Sequence, residues 1–304
     1  MNHKRNMFQK EYFWHGLVTI GGCFMIVLTL AIGIFLVYKG SASFTTYDHK
    51  ITEFLFSSKW NPADNSTGGG NIGAAIYIFG SISTCALALL IATPFSIAAA
   101  IFMTEIAPKV GMHVFQPAVE IFVGIPSVVY GWIGLTVLVP AIKNIFHLTY
   151  GFSVLAAGIV LAVMIFPTIT SVTADAIRSV PIQFRQASYG LGATRWQMIR
   201  TVVLPSAKSG IYTGIILGLA RAFGEALAVA MVIGKTRAFP KNILSSTNNL
   251  TASIASDMGG AMEGGEYNSA LWSMALLLFL ISLLFIFIIH FISSKEEKKL
   301  NGKN

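Results

Sequence analysis

The sequence predicts an all-α membrane protein, a single bundle of six transmembrane helices with its N- and C-termini in the cytoplasm. Three observations predict it. The chain has 304 residues, of which 54% are hydrophobic and only 11% charged, where soluble domains carry about 25% charged residues. Six apolar stretches approach or exceed the roughly 20 residues that a membrane-crossing helix needs, at about 17–38, 76–103, 121–142, 152–169, 210–233 and 271–292. The positive-inside rule then fixes the orientation. With the termini inside, the inner segments hold Lys4, Arg5, Lys10, Lys109, Arg178, Arg185, Arg195, Arg200, Lys208, Lys295, Lys298, Lys299 and Lys303, while fewer basic residues (Lys39, Lys50, Lys59, Lys143, Lys235, Arg237, Lys241) are diluted over longer outer loops.

The first span follows Lys4, Arg5 and Lys10, which also fits a signal peptide. The apolar run is too long for a signal core and lacks a small-x-small cleavage site, so a retained span is expected. The outer loop over 41–72 contains Trp60-Asn61-Pro62 and Gly68-Gly69-Gly70. This mixture is turn-forming and predicts mobility. The long outer loops at 41–72 and 234–268 suit either a contact with an extracellular partner or a plain solvated connection.

Pro94, Pro126 and Pro167 fall within spans two, three and four and are expected to interrupt them. Spans five and six have no matching prolines, which weakens an inverted-repeat secondary transporter. Span two ends at Glu105-Ile106-Ala107-Pro108-Lys109, a polar stop. In span three, Pro126 frees a backbone carbonyl beside the hydroxyls of Ser127 and Tyr130. Ser127 is either a contact in a cavity or part of a kinked packing element.

Between spans four and five, residues 186–205 form a polar, Arg-bearing helix candidate ended by Leu204-Pro205. Span five then carries Arg221 and Glu225. A charge near the bilayer centre costs about 2.5–3.5 kcal/mol on insertion scales. The i, i+4 spacing puts both on one helix face, where they can pair. A buried salt bridge that only specifies packing is one reading, but such pairs often fail to stabilise relative to apolar replacements. A role in a transport path is the other. A guanidinium binds phosphate-like oxygens in bidentate fashion, and Glu225 would hold Arg221 and moderate its charge. Gly210, Gly214, Gly218 and Ala222 stand at four-residue steps on the same helix, a ladder that lets a neighbouring helix approach. That neighbour lies either within the chain or in a second subunit.

Other chemistry is not indicated. Gly234-Lys235-Thr236 fails the P-loop pattern, because Val229 stands where the first glycine belongs and a membrane helix precedes it. The chain therefore needs a separate protein for any ATPase, and no cofactor of its own is expected. Six scattered histidines show no metal spacing. Cys23 and Cys85 lie in apolar runs as packing residues. The net charge of +8 belongs to span flanks rather than to nucleic-acid binding. No catalytic constellation stands out, and an enzyme is not expected.

The 186–205 stretch resembles the cytoplasmic coupling loop of ABC importer permeases, whose pattern is Glu-Ala-Ala, three residues, Gly, nine residues, Ile-x-Leu-Pro. Gln186-Ala187-Ser188 stands at the Glu-Ala-Ala place, Gly192 at the Gly, Val202 at the Ile, and Leu204-Pro205 closes the motif. Together with Trp60-Asn61-Pro62, residues 124–131, Arg221-Ala-Phe-Gly-Glu225 and Val232-Ile233-Gly234, it resembles the PstC branch of the phosphate-specific ABC importer permeases over about residues 50–293.

The resemblance implies a type I ABC importer permease bundle in a bacterial plasma membrane, divided into residues 1–72, a permease core 73–293 with a coupling loop at 175–208, and a cytoplasmic tail 294–304. It implies half of a pore completed by a PstA-like second permease subunit. A PstB-like ATPase dimer holding ATP and Mg would sit beneath it, and a PstS-like phosphate-binding protein outside. Arg221 and Glu225 would act in phosphate passage, with Ser127 a further candidate in the path. Gln186, Ala187, Ser188, Gly192, Leu204 and Pro205 would couple to the ATPase. Gln186 departs from the family glutamate and removes a carboxylate from that contact. Permeases for molybdate, sulfate or phosphonate, a secondary transporter and a non-transporting scaffold remain the alternatives.

Overall fold

A computed structural model describes residues 2–300; the tail predicted over 294–304 lies outside it from residue 301 on. Among the described residues, six helices are long and apolar enough to cross a membrane: His15–Thr45, Ala75–Ile106, Ser127–Ile145, Val154–Arg178, Arg195–Gly224 and Glu266–Ile288. They are spans one to six below. Span four is the centre of the bundle. In its most apolar window 67% of residues are buried, against 0% for span one. It packs along span two and span five, while span one pairs with span six and span six with span five.

Small residues set these approaches. Gly158 of span four faces the Leu87 side chain, and a Cβ added there would lie 2.7 Å from Leu87 Cδ2. The ladder of span five packs within the chain, against span four: Gly210 faces Ala176, Gly214 faces Val172, and a Cβ on Gly218 would lie 2.6 Å from Ile169 Cγ1. Bulkier residues would hold the two helices apart and forfeit their contacts.

Of the three prolines expected to interrupt spans, only Pro126 does. Pro94 and Pro167 lie inside continuous helices. At Pro126 the helix Gln116–Gly124 ends, Ile125 and Pro126 take extended backbone, and span three starts afresh at Ser127. Pro126 has no N–H for the carbonyl one turn back, that of Phe122. The Tyr130 hydroxyl takes its place and donates to Phe122 O at 2.8 Å.

Four further prolines follow widened turns; three lie in helix that continues, while before Pro108 the helix breaks at Ala107 (φ −134°, ψ 66°) and restarts. The π-helical segments Phe102–Ile106, Gly111–Phe115, Gly134–Leu138 and Ile199–Val203 each end two residues before a proline (Pro108, Pro117, Pro140 and Pro205). A missing N–H leaves a gap in the i→i−4 ladder, and an i→i+5 turn bridges it. Leu204-Pro205 therefore does not close the 186–205 loop. The helix runs through it, from Arg195 to Gly224.

Span five, expected over 210–233, instead stops at Gly224. Glu225 takes extended backbone (φ −78°, ψ 122°), and a short helix Leu227–Val232 follows. No proline is needed, because side chains hold the break. Glu225 Oε1 accepts from the Ala228 N–H at 3.2 Å, and Thr251 Oγ1 donates to the Glu225 carbonyl at 2.7 Å. Leu227–Val232 packs against the restarted span three, where a Cβ on Gly131 would lie 2.8 Å from Ala228 Cα.

The end of the bundle away from residues 186–205 carries a small lobe in place of the expected mobile loop. Trp60-Asn61 pairs antiparallel with Asn71-Ile72. Trp60 is buried, edge-on to Tyr77 with ring centroids 5.1 Å apart. Asn65 and Asn249, each in a glycosylation-like triplet, serve the backbone. Asn65 Oδ1 accepts from the Thr67 and Gly68 N–H groups, and Asn249 caps the helix Leu250–Asp257.

Candidate functional site: a lone guanidinium in the bundle and a hinged loop at its end

Arg221 occupies the last turn of span five's long helix, half-buried. Its Nη1 donates to Thr168 Oγ1 on span four at 2.9 Å. The pairing with Glu225 expected from the i, i+4 spacing is not formed, and among the described residues no ion pair joins the two. The reason is the helix break. Glu225 lies beyond the last helical residue, so the face shared by i and i+4 ends before reaching it. Its carboxylate turns to the N-terminus of Leu227–Val232, where orphan N–H groups favour an anion.

Among the described residues, the guanidinium beside span four thus has no carboxylate partner. A guanidinium carries five N–H donors, and the single bond to Thr168 leaves the others for an oxyanion. Tyr130, from the restarted span three, is close enough to feel the Arg221 charge. Ser127 is half-buried at the first turn of that span, and its hydroxyl makes no hydrogen bond among the described residues. The helix that Ser127 opens packs against Leu227–Val232, the short helix that follows Glu225, while Arg221 lies one turn earlier on span five.

At the other end, residues 182–204 fold as two helices around a tight corner. Ile182–Gly190 ends in a Schellman motif. The Ala193 N–H bonds to Ser188 O at 3.1 Å and the Gly192 N–H to Tyr189 O at 2.9 Å, with Gly192 at φ +81°. This is the left-handed conformation that glycine adopts without strain. Thr194 then opens span five with a capping box: its Oγ1 accepts from the Gln197 N–H, and Gln197 Oε1 accepts from the Thr194 N–H at 2.8 Å. Gln186 and Ala187 are exposed and Ser188 is buried. Phe184, Tyr189, Leu191 and Trp196 present apolar surface, Leu191 at 90% exposure.

This corner is tied to the bundle by a pairing that the sequence did not indicate. Arg185 donates to Glu105 Oε1 and also to the carbonyls of Ile177 and Val180. Arg195 donates to Ile106 O at 2.9 Å. A cavity of about 830 Å³ opens beside them, lined by Glu105, Arg178, Arg185, Gln186, Tyr189 and Arg195 among others. The signal available in the sequence was slight: Glu105 is the first acidic residue after the long apolar run of span two, and Arg185 directly precedes the motif.

Residues 92–298 match the model of one protein family, the binding-protein-dependent transport system inner membrane component. The chain is 50% identical to a probable ABC transporter permease protein, YqgH, of Bacillus subtilis, covering 92% of this chain and 90% of the relative. It is 35% identical to the phosphate transport system permease protein PstC of Pasteurella multocida (91% and 89%) and 33% identical to that of Xylella fastidiosa (90% and 87%). Among solved structures, a bacterial alginate ABC transporter in complex with a periplasmic protein aligns over 90% of this chain and 94% of its own, at TM-score 0.59 and 18% identity. The MetNI methionine ABC transporter aligns over 72% and 95%, at TM-score 0.55 and 19% identity. The fold is therefore shared with ABC importer permeases of other cargo, and the sequence relatives narrow the group. The chain belongs to the family of binding-protein-dependent transport system inner membrane components, the multi-pass membrane subunits of such transporters.

Proposed function

We propose that this chain is a permease subunit of an ATP-driven importer of inorganic phosphate, forming half of the translocation path. The observation that carries the reading is Arg221, a cation inside a six-span bundle with no carboxylate holding it. An unpaired charge at that depth is costly, and an oxyanion in transit accounts for its retention. The PstC relatives, named for phosphate transport and matched over most of the chain, support that choice of anion.

A PstA-like subunit would complete the pore. A PstB-like ATPase dimer, which binds the ATP and Mg, would grip the Ile182–Gly190 helix through Gln186, Ala187 and the Gly192 corner. Ser188 supports that helix from inside, and Leu204 and Pro205 carry the motion onward within span five. A PstS-like binding protein would deliver phosphate at the end bearing the Trp60 lobe, with both termini of the chain in the cytoplasm. Residues 73–293 are the permease core, 1–72 an added span with its outer lobe, and 294–304 a tail.

Proteoliposomes containing the chain with its encoded neighbours, with ATP inside, test this. Labelled phosphate should accumulate only with ATP, and unlabelled phosphate alone should compete. Uptake without ATP points to a secondary transporter, and competition by molybdate, sulfate or phosphonate changes the cargo. Arg221→Ala that transports at the normal rate while assembled defeats the role given to Arg221.

A further inference from the structure

We propose that Thr168 is a positioning residue of the anion path, the group that aims the Arg221 guanidinium. The proposal rests on the reading of Arg221 as a phosphate contact. Among the described residues, Arg221's one hydrogen bond is from Nη1 to Thr168 Oγ1 at 2.9 Å. A long side chain with one anchor takes its direction from that anchor. Thr168 is a firm one: it is β-branched, hence stiff about χ1 in a helix, and it sits on span four between buried Pro167 and buried Ile169.

The usual behaviour of a helical threonine is to donate its hydroxyl to the carbonyl one turn back. Thr84, Thr104, Thr136, Thr170, Thr201 and Thr213 all do so in this chain. Thr168 does not. Its oxygen accepts from Arg221, and no bond ties it to Met164 O. Two consequences follow from this geometry. The anchor is neutral, so the guanidinium keeps its full charge, which a carboxylate in the same place would offset. In addition, the Thr168 O–H remains free to donate, so it and the unused N–H groups of Arg221 offer several donors to an oxyanion.

Thr168→Val, Thr168→Ala and Thr168→Ser in the full assembled transporter test the proposal, with uptake normalised to co-purified complex. Thr168→Val keeps the volume and deletes the hydroxyl; Thr168→Ala is the second hydroxyl-free variant if valine crowds span five. The maximal rate of phosphate uptake should fall at least about tenfold in both, the lower end of what one hydrogen bond to a charged group contributes. The half-saturating phosphate concentration, set outside by the binding protein, should change less than twofold. Thr168→Ser should transport within twofold of wild type.

A hydroxyl-free variant that transports normally overturns the proposal, as does a serine variant as impaired as valine or a loss confined to half-saturation. Arg221→Ala separates the two readings. If it abolishes uptake while Thr168→Val transports at the wild-type rate, only the positioning role fails. If it transports normally, the phosphate contact itself fails.

Discussion

Arg185 donates to a single oxygen of Glu105, Oε1, through Nε at 3.1 Å and Nη2 at 2.8 Å, and so fastens the Ile182–Gly190 helix to the end of span two. The side chains are 14% and 8% exposed, so the pair is nearly out of water. The same guanidinium caps carbonyls of Ile177 and Val180 at the end of span four. The loop helix is thereby bonded to spans two and four together.

Breaking a buried pair from one side leaves the other charge unmatched, at a cost of about 3–5 kcal/mol. Arg185→Ala should therefore lower the thermal midpoint of the purified complex and reduce phosphate moved per ATP hydrolysed. Glu105→Ala/Arg185→Ala should regain part of the stability, because no lone charge remains, but not the coupling ratio. A double variant that restores both would show that the pair serves packing alone.

Gly192 illustrates a requirement for backbone conformation without crowding. A Cβ there would meet nothing within 4 Å, yet φ is +81°. The left-handed region costs a non-glycine residue about 1–2 kcal/mol, least for asparagine and most for β-branched residues. Uptake and co-purification of the ATPase should fall in the order Gly192→Asn, Gly192→Ala, Gly192→Val. Gly192→Arg adds charge and bulk to the same strain at the exposed corner and should uncouple ATP hydrolysis from uptake. Equal behaviour of the asparagine and valine variants would refute the conformational argument.

The number and rough place of the six spans were legible in the sequence because apolar length decides them. The ladder Gly210, Gly214, Gly218 was legible as a packing face, and only the structure identified its partner as span four. The break at Glu225 was not legible. No proline marks it, and besides the local bond from the Ala228 N–H it depends on Thr251, which reaches Glu225 only once the chain is folded. Missing the break produced the wrong Arg221–Glu225 pairing, since helical spacing implies contact only where the helix continues. Leu204-Pro205 misled in the opposite sense: here the proline two residues after a π-turn does not end the helix. Thr168 and Arg185 carry no motif, and their roles come from partners 53 and 80 positions away.

The lobe at the far end depends on Glu266, fully buried at the start of span six. Its carboxylate accepts from the N–H groups of Ala63 (2.6 Å), Gly69 (3.1 Å) and Gly70 (3.0 Å), and Oε1 lies 2.7 Å from His49 Nε2. One side chain thus holds both ends of the segment between Trp60-Asn61 and Asn71-Ile72. Glu266→Gln keeps the shape but turns one acceptor into an N–H₂ facing other N–H groups. Leaving buried donors unmatched costs about 1–3 kcal/mol for each, so residues 57–72 should detach and become open to added protease. His49→Ala removes one partner and leaves three backbone donors in place, so its lobe should stay resistant. If Glu266→Gln were cut no faster than wild type, the lobe would be held by Trp60 packing against Tyr77 and not by the carboxylate.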